Sequence, residues 1–459
     1  MKLYSFIFLI LLLTHGYCKS DFRTGSPLML AVPVDYSAGF IGRAFLMDTN
    51  QRVPAFRVAL SVEAFNGKYS CSLEVFLGDV KVWNSGHYSR FYTWDKCVLE
   101  LTDDGDLRLM GPNEQVGWRT GTSGQGVERL EIQSSGNLVL VDTLNRIKWQ
   151  SFNFPTDVML WGQRLNVATR LTSFPSNSDS FYTFEIHHNK IALHLTSGKW
   201  NYSYWEFKPS YNRNITYVKV ASKGLVLFSD EYKKIAQIPS QAPEPLRFLA
   251  LGNSTGNLGF YFYSPGEGKF EAAFQALNTT CDLPLACKPY GICTFSNACS
   301  CMRGLMGEKS TNSNCSVGIS GGFCGIISKP EMLELDGISS VLQNASKKVN
   351  VSKETCENLC LDDCTCAAAL YSSGRGEKTQ QRECHHYRLV MGVKQVEKGS
   401  GLSYMVKVPK GTRGSHGKSN VKKWVLIMVG VIDGLIILLV LGGLGYYSIQ
   451  KRRENSTQH

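Results

Sequence analysis

Leu99-Glu-Leu-Thr-Asp-Asp-Gly-Asp-Leu-Arg-Leu109 and Leu130-Glu-Ile-Gln-Ser-Ser-Gly-Asn-Leu-Val-Leu140 are written to one pattern. Each opens with an alternation of apolar and polar residues, the period of a strand with one buried face. Each then meets a polar turn and returns as a second strand. Gly105 and Gly136 stand where a tight hairpin needs a positive φ, which a residue without Cβ adopts at little cost. Two copies of one hairpin, starting at positions 99 and 130, are an internal repeat. Strand pairs that recur in this way can close around a pseudo-symmetry axis, each burying its Leu, Val and Ile face against the others. Residues 25–160 are therefore expected to form a first β domain. Cys71 and Cys97 are the only mature cysteines within it and are expected to pair. Lys148-Trp-Gln-Ser-Phe-Asn-Phe-Pro-Thr-Asp157 closes the region, and its aromatics are expected at a seam between domains.

Working outward, residues 161–276 read as a second β domain. Phe181–Phe184, Ile191–Leu195, Tyr202–Phe207, Tyr217–Val220 and Leu225–Phe228 alternate, and the stretch from Leu246 to Phe262 repeats the hairpin pattern. Residues 277–318 hold Cys281, Cys287, Cys293, Cys299, Cys301 and Cys315. So short a segment cannot surround a large core, so disulfides must hold it. Residues 324–407 form the last folded unit, with Cys324, Cys356, Cys360, Cys364, Cys366 and Cys384. Ser352 is placed to cap a helix on which Cys356 and Cys360 share one face. Two bridges would staple that helix to a small sheet containing Leu402 to Val406, with Cys324 taking the remaining partner. The pairing in both cysteine-rich units stays open.

The chain has 459 residues, a formal net charge of +11 and 15 cysteines. Removal of Cys18 with a leader leaves an even number, as full pairing in an oxidising compartment requires. The positive charges are scattered, and many fall at Lys407, Lys410, Arg413, Lys418, Lys422 and Lys423. They read as a solvated face, and no nucleic-acid partner is expected. Residues 1–18 read as a signal peptide. Residues 424–449, Trp424 to Ile449, are apolar enough to be expected as one transmembrane helix, with 408–423 a juxtamembrane stalk and 450–459 a cytoplasmic tail. Lys451, Arg452 and Arg453 behind that run favour a single-pass type I orientation, with the N-terminus outside at the plasma membrane. Asp433, with Gly430 and Gly434, would then offer a contact for a partner helix. Asn201, Asn214, Asn253, Asn278, Asn314, Asn344 and Asn350 head glycosylation sequons.

No zincin, P-loop or nucleophile-elbow signature is present, so the chain is not expected to be an enzyme. His187, His188 and His194 read as an exposed strand-loop patch, on the reading that no fitting carboxylate or cysteine lies close in sequence, and His385-His386 beside Cys384 reads the same way. No cofactor and no metal are expected.

Gly136-Asn-Leu-Val-Leu-Val-Asp142, Trp149-Gln-Ser-Phe-Asn-Phe-Pro-Thr-Asp157, Gly162-Gln-Arg-Leu165, the cysteine run 281–315 and Cys356-x3-Cys360-x3-Cys364-x-Cys366 carry a resemblance. Together they resemble the extracellular half of plant S-domain (G-type lectin) receptor kinases. The resemblance implies a β-prism bulb-type lectin domain, an S-locus-like β domain, an EGF-like module and an α+β PAN/apple domain, here without the kinase. The family's mannose signature, Gln-x-Asp-x-Asn-x-Val-x-Tyr, falls on Gln133, Ser135, Asn137, Val139 and Val141. Ser135 and Val141 replace its Asp and Tyr, so the polar grip on a sugar is degraded. Thr102, Asp104, Asp106, Arg108 and Met110 occupy the same places in the other copy, where only the Asp survives. The function expected is a non-catalytic receptor-like protein or co-receptor. It would recognise an extracellular peptide, a glycan or a receptor kinase in cis, and self-association is plausible by family analogy. A wall-adhesion glycoprotein and a membrane-bound lectin are the alternatives.

Overall fold

The computed structural model describes residues 21–33, 39–50, 54–65, 67–175, 179–210, 213–230, 232–302, 315, 323–324, 330–373, 382–410, 434–446 and 448–449. Its first body is a three-sided prism. A leading segment gives one strand to each of three sheets: Asp21–Arg23 pairs with Val127–Ile132, Leu28–Ala31 with Lys96–Leu101, and Ile41–Asp48 with Phe56–Phe65. Each sheet is completed by its own antiparallel hairpin and a third strand. The two hairpins legible in the sequence fill two of the sheets, and their turn glycines take φ of +90° at Gly105 and +82° at Gly136. The inward residues of all three sheets form one core, with Leu60, Leu73, Leu99, Leu107, Leu130 and Leu138 fully buried. The Cys71–Cys97 disulfide ties the second sheet to the third.

The sheets meet through a repeated device. Trp83, Trp118 and Trp149, one from each sheet, form an edge-to-face triangle with ring centroids 6.2, 5.8 and 5.9 Å apart. Two residues after each Trp stands a hydroxyl that accepts the backbone N–H of the neighbouring hairpin strand. Ser85 takes it from Leu73 at 3.0 Å, Thr120 from Leu107 at 3.1 Å and Ser151 from Leu138 at 2.9 Å. Each bond satisfies a donor one residue past the end of pairing with the third strand, where a buried unpaired N–H would be costly.

The second body repeats this topology. Val158–Leu160, Arg164–Asn166 and Arg170–Ser173 each join a different four-stranded sheet, again matched to the three hairpins in reverse chain order. Met159, Leu165 and Leu171, one from each leading strand, are all fully buried in its core. Residues 158–160 thus belong to the second prism, and strand Asp21–Arg23 begins the first one ahead of position 25.

The cysteine-rich segment is not a free module. Its disulfides are Cys281–Cys293, Cys287–Cys299 and Cys301–Cys315. Its hairpin strand Gly291–Cys293 pairs in parallel with Val393–Gln395 of the last unit. That unit is a five-stranded antiparallel sheet with the helix Lys353–Asp362 on one face. Ser352 Oγ caps the helix by accepting from Thr355 N–H at 3.0 Å. Cys356–Cys384 staples it to the sheet, while Cys360–Cys366 and Cys324–Cys364 hold the loop that follows. The opposite face joins a core continuous with the second prism. Lys407 corrects the reading of it as a solvated charge. It is fully buried, and its Nζ donates to the carbonyls of Leu361 and Asp363 at 3.3 and 2.8 Å, closing the helix C-terminus.

The second prism is bolted to the last unit around Glu206. Its Oε1 accepts from Lys190 Nζ at 2.6 Å, Ser203 Oγ at 2.9 Å and Asn344 Nδ2 at 2.9 Å. Asn344 also donates to Ser203 Oγ at 2.6 Å, and Ser203 bridges Gln343 backbone to backbone. Burial raises the Glu206 pKa, but the bonds from Lys190, Asn344 and Ser203 outweigh it and hold it at about 2.

The expected transmembrane helix, and with it the transmembrane and cell-membrane assignment and the single-pass type I topology, is not upheld. Among the described residues no helix is long and apolar enough to cross a membrane. Residues 1–20, Asn314, Gly430, Asp433 and the segments 411–433 and 450–459 lie outside the described residues. Gly434 is helical, with nothing within 4 Å of where a Cβ would sit.

Two outcomes follow from these contacts. A Cβ on Gly136 would lie 2.3 Å from the Phe56 ring, in a residue already at φ +82°. Gly136→Ala should therefore cost roughly 3 kcal/mol or more, read as a lowered urea midpoint. For Glu206 the folded pKa is depressed, so its stabilisation is present above the ordinary carboxylate pKa and is lost as pH falls from about 4.5 towards 2. Glu206→Gln should flatten the fall of the urea midpoint across that window.

Candidate ligand cleft at the seam of the two prisms

The degenerate lectin motif is spent on structure. Asn137 is buried. Its Nδ2 donates to Gln150 Oε1 at 2.8 Å, and its Oδ1 accepts from Ser151 Oγ at 3.3 Å and Phe152 N–H at 3.2 Å. Val139 and Val141 are buried, while Gln133 and Ser135 are half-buried at the turn. In the other copy Asp106 is buried, with Oδ1 accepting from Thr120 Oγ1 and from the backbone N–H of Gly121 and Thr122. Asp104 binds Thr102 and Ser123, and Arg108 pairs with Glu100 at 2.8 Å. Asn137 in one copy and Asp104, Asp106 and Arg108 in the other are thus already committed to bonds within the fold.

The open polar surface lies elsewhere, where the 84–90 loop of the first prism meets the linker and the second prism. A cavity of 370 Å³ is lined by Glu74, Lys81, His87, Tyr88, Arg90 and Asp157, among others. The Glu74 carboxylate is buried and held by Lys81 at 2.7 Å, Ser61 at 2.5 Å and Arg43 at 3.5 Å. Arg90 is half-exposed and pairs only loosely with Glu63, at 3.9 Å. His87 Nε2 meets the Thr172 carbonyl at 2.7 Å, and Tyr88 Oη donates to the Pro155 carbonyl at 2.9 Å, so both residues clasp the two bodies together. Burial lowers the His87 pKa against the opposing pull of Asp157, which leaves the ring uncharged at neutral pH.

His87 and Tyr88 also line a second cavity of 550 Å³, walled by Trp83, Trp118, Trp149 and Phe154. Trp149 and Phe154, expected at a seam, stack with centroids 5.7 Å apart and also face this opening. The two cavities make one cleft, charged at one end and aromatic at the other. Such a surface offers ring faces beside directed hydrogen-bonding groups. Sequence reasoning missed it because the third repeat was not seen. Its signal was Trp83-Asn-Ser85, matching Trp118-Arg-Thr120 and Trp149-Gln-Ser151.

Among the sequons, Asn201, Asn253 and Asn344 have engaged side chains. Of these three, Asn344 uses Nδ2, the atom that would carry a sugar, while Asn201 and Asn253 use Oδ1.

Residues 82–178 match the family model described as D-mannose binding lectin. The G-type lectin S-receptor-like serine/threonine-protein kinase SD2-5 of Arabidopsis thaliana is 24% identical over 395 residues, covering 81% of this chain and 46% of its own. A PAN domain-containing protein of Arabidopsis thaliana is 26% identical over 296 residues, 60% of this chain and 58% of its own. Among solved structures, a monomeric monocot mannose-binding lectin from Gastrodia elata is 22% identical over 29% of this chain and 96% of its own, with a TM-score of 0.19. The chain thus carries a bulb-type lectin domain and is homologous to the lectin and PAN regions of the G-type lectin S-receptor-like kinases. It corresponds to the non-kinase part of those homologues. It spans about half the length of the curated relatives it matches. This homology supports an extracellular recognition module.

Titration calorimetry with methyl α-mannoside should show no saturable binding at millimolar sugar. Asn137→Ala should lower stability by about 1–3 kcal/mol, seen in urea unfolding, because it strands buried partners.

Proposed function

We propose that the chain is a non-catalytic extracellular recognition protein whose ligand docks in the cleft at the seam of the two prisms. The observation that carries this reading is the conjunction of a charged cavity and an aromatic one through His87 and Tyr88, beside lectin positions at which Asn137 and Asp106 are already used within the fold. The ligand is a glycan or an extracellular peptide segment, and the extracellular region of an S-receptor-like kinase is the partner class that the homology favours. The aromatic walls favour the glycan reading, since a sugar ring presents its C–H face to an aromatic ring while its hydroxyls reach Arg90 and Asp157.

The glycosylated protein should be passed over immobilised plant cell-wall oligosaccharides and over the extracellular regions of the kinases it resembles. Binding to either set should fall about tenfold or more in Tyr88→Ala and Arg90→Ala, as loss of a central aromatic or arginine anchor does. Undiminished binding by both variants would contradict the cleft as the site. Silence against both sets would contradict the recognition reading.

A further inference from the structure

One cluster lies outside the cleft, on the second prism. Strand Ser180–His187 pairs with Lys190–Ser197, which pairs with Trp200–Phe207. Glu185 and His187 are two residues apart, so they share a face, and His194 stands on that face of the adjacent strand. Ala192, opposite Glu185 in the register, lies between Lys190 and His194 along that strand. The imidazoles lean towards each other until their Nε2 atoms are 3.3 Å apart, and Glu185 Oε2 is 3.8 Å from His187 Nε2. One atom from each of the three residues falls within 4.8 Å of the others.

We infer that Glu185, His187 and His194 form a binding site for a divalent transition metal ion of the zinc class. Two imidazole nitrogens on a tetrahedral ion at about 2.0–2.1 Å stand roughly 3.3 Å from each other, which is the separation found here. The surrounding contacts orient the donors. His194 Nδ1 is hydrogen-bonded to Asn201 Oδ1 at 2.8 Å, so the proton sits on Nδ1 and Nε2 presents its lone pair. Glu185 Oε1 is occupied by Thr183 Oγ1 at 2.8 Å and faces Arg170 at 3.5 Å, which leaves Oε2 for the ion. The ladder slips between Leu193 and His194 against the third strand, an irregularity of the kind that re-aims a side chain. Three protein ligands leave a fourth position open, and half-exposed His187 stands at the mouth. Among the described residues the other cluster of this sort, Cys356, Cys384 and His386, is excluded because both sulfurs are in a disulfide.

The test is equilibrium dialysis of the chelator-treated, untagged full chain against zinc chloride. Wild type should take up one zinc, with a matching rise in Tm. His187→Ala and His194→Ala should each weaken uptake about tenfold or more, and Asn201→Leu should do so through the lost orienting bond. Asn201→Asp removes the sequon but keeps an acceptor, and should retain uptake. His385→Ala, in the last unit, should leave uptake unchanged. Zinc-free unfolding midpoints of His187→Ala close to wild type would show that the variant folds. Absence of saturable uptake by wild type, or equal affinity in the His187 and His194 variants, would overturn the assignment.

Discussion

The first prism depends on three hydrogen bonds of one kind. Where pairing with the third strand of each sheet ends, a strand amide is left without a ladder partner on that side, and a hydroxyl two residues past a tryptophan accepts it. Ser85, Thr120 and Ser151 do this in the three sheets, so the same stretch of chain that satisfies the amide also delivers an indole to the axis. The tryptophan triangle and the hydroxyl bonds are therefore a single device used three times. Its geometry fixes the 84–90 loop and the 149–157 segment, and these are the walls of the cleft.

Below the first prism the chain is knit together more tightly than a string of modules. The second prism, the small cysteine-rich hairpin and one face of the last sheet share a core. A parallel strand pair and the Glu206–Asn344–Ser203 bonds cross the joins. Disulfides do their main service where the core is thinnest, in the cysteine-rich hairpin and on the helix face of the last unit. Lys407 belongs to the same economy of buried polar groups: a cation taken out of water is tolerated because two helix-end carbonyls receive it.

Much of this was legible in the sequence where a local rule had a single outcome. Alternation with a turn glycine specifies a hairpin, so 99–109 and 130–140 could be read directly. Ser352 ahead of a helix, with cysteines four apart behind it, also has few other readings. What escaped depends on pairing at a distance. The third repeat carries Asn66-Gly67 between its strands in place of the longer polar turn of the other two, and its Trp-x-Ser echo marks it as a further copy. Five of the six leading strands are three or four residues long, too short to show a period, so the kinship of the two prisms is not legible in the sequence. Glu185 was passed over although it stands two residues before His187, because only the sheet shows that i and i+2 point the same way as His194 on the next strand. Lys407 reads as a stalk charge until the helix is seen to end above it. The apolar C-terminal run suggests a membrane span by composition alone, and among the described residues no helix is long and apolar enough to make one. The lectin signature was read as degraded by its substitutions. The structure adds that the matching residue Asn137 is itself buried and bonded within the fold.

Native-state hydrogen exchange at the amides of Leu73, Leu107 and Leu138 tests the threefold device most directly. If the three hydroxyl bonds close one cooperative prism, these amides exchange together and only with the free energy of unfolding the whole first body. If any one of them exchanges freely while the other two stay protected, the three sheets are not held by a common device, and the account of the prism and of the cleft it shapes is contradicted.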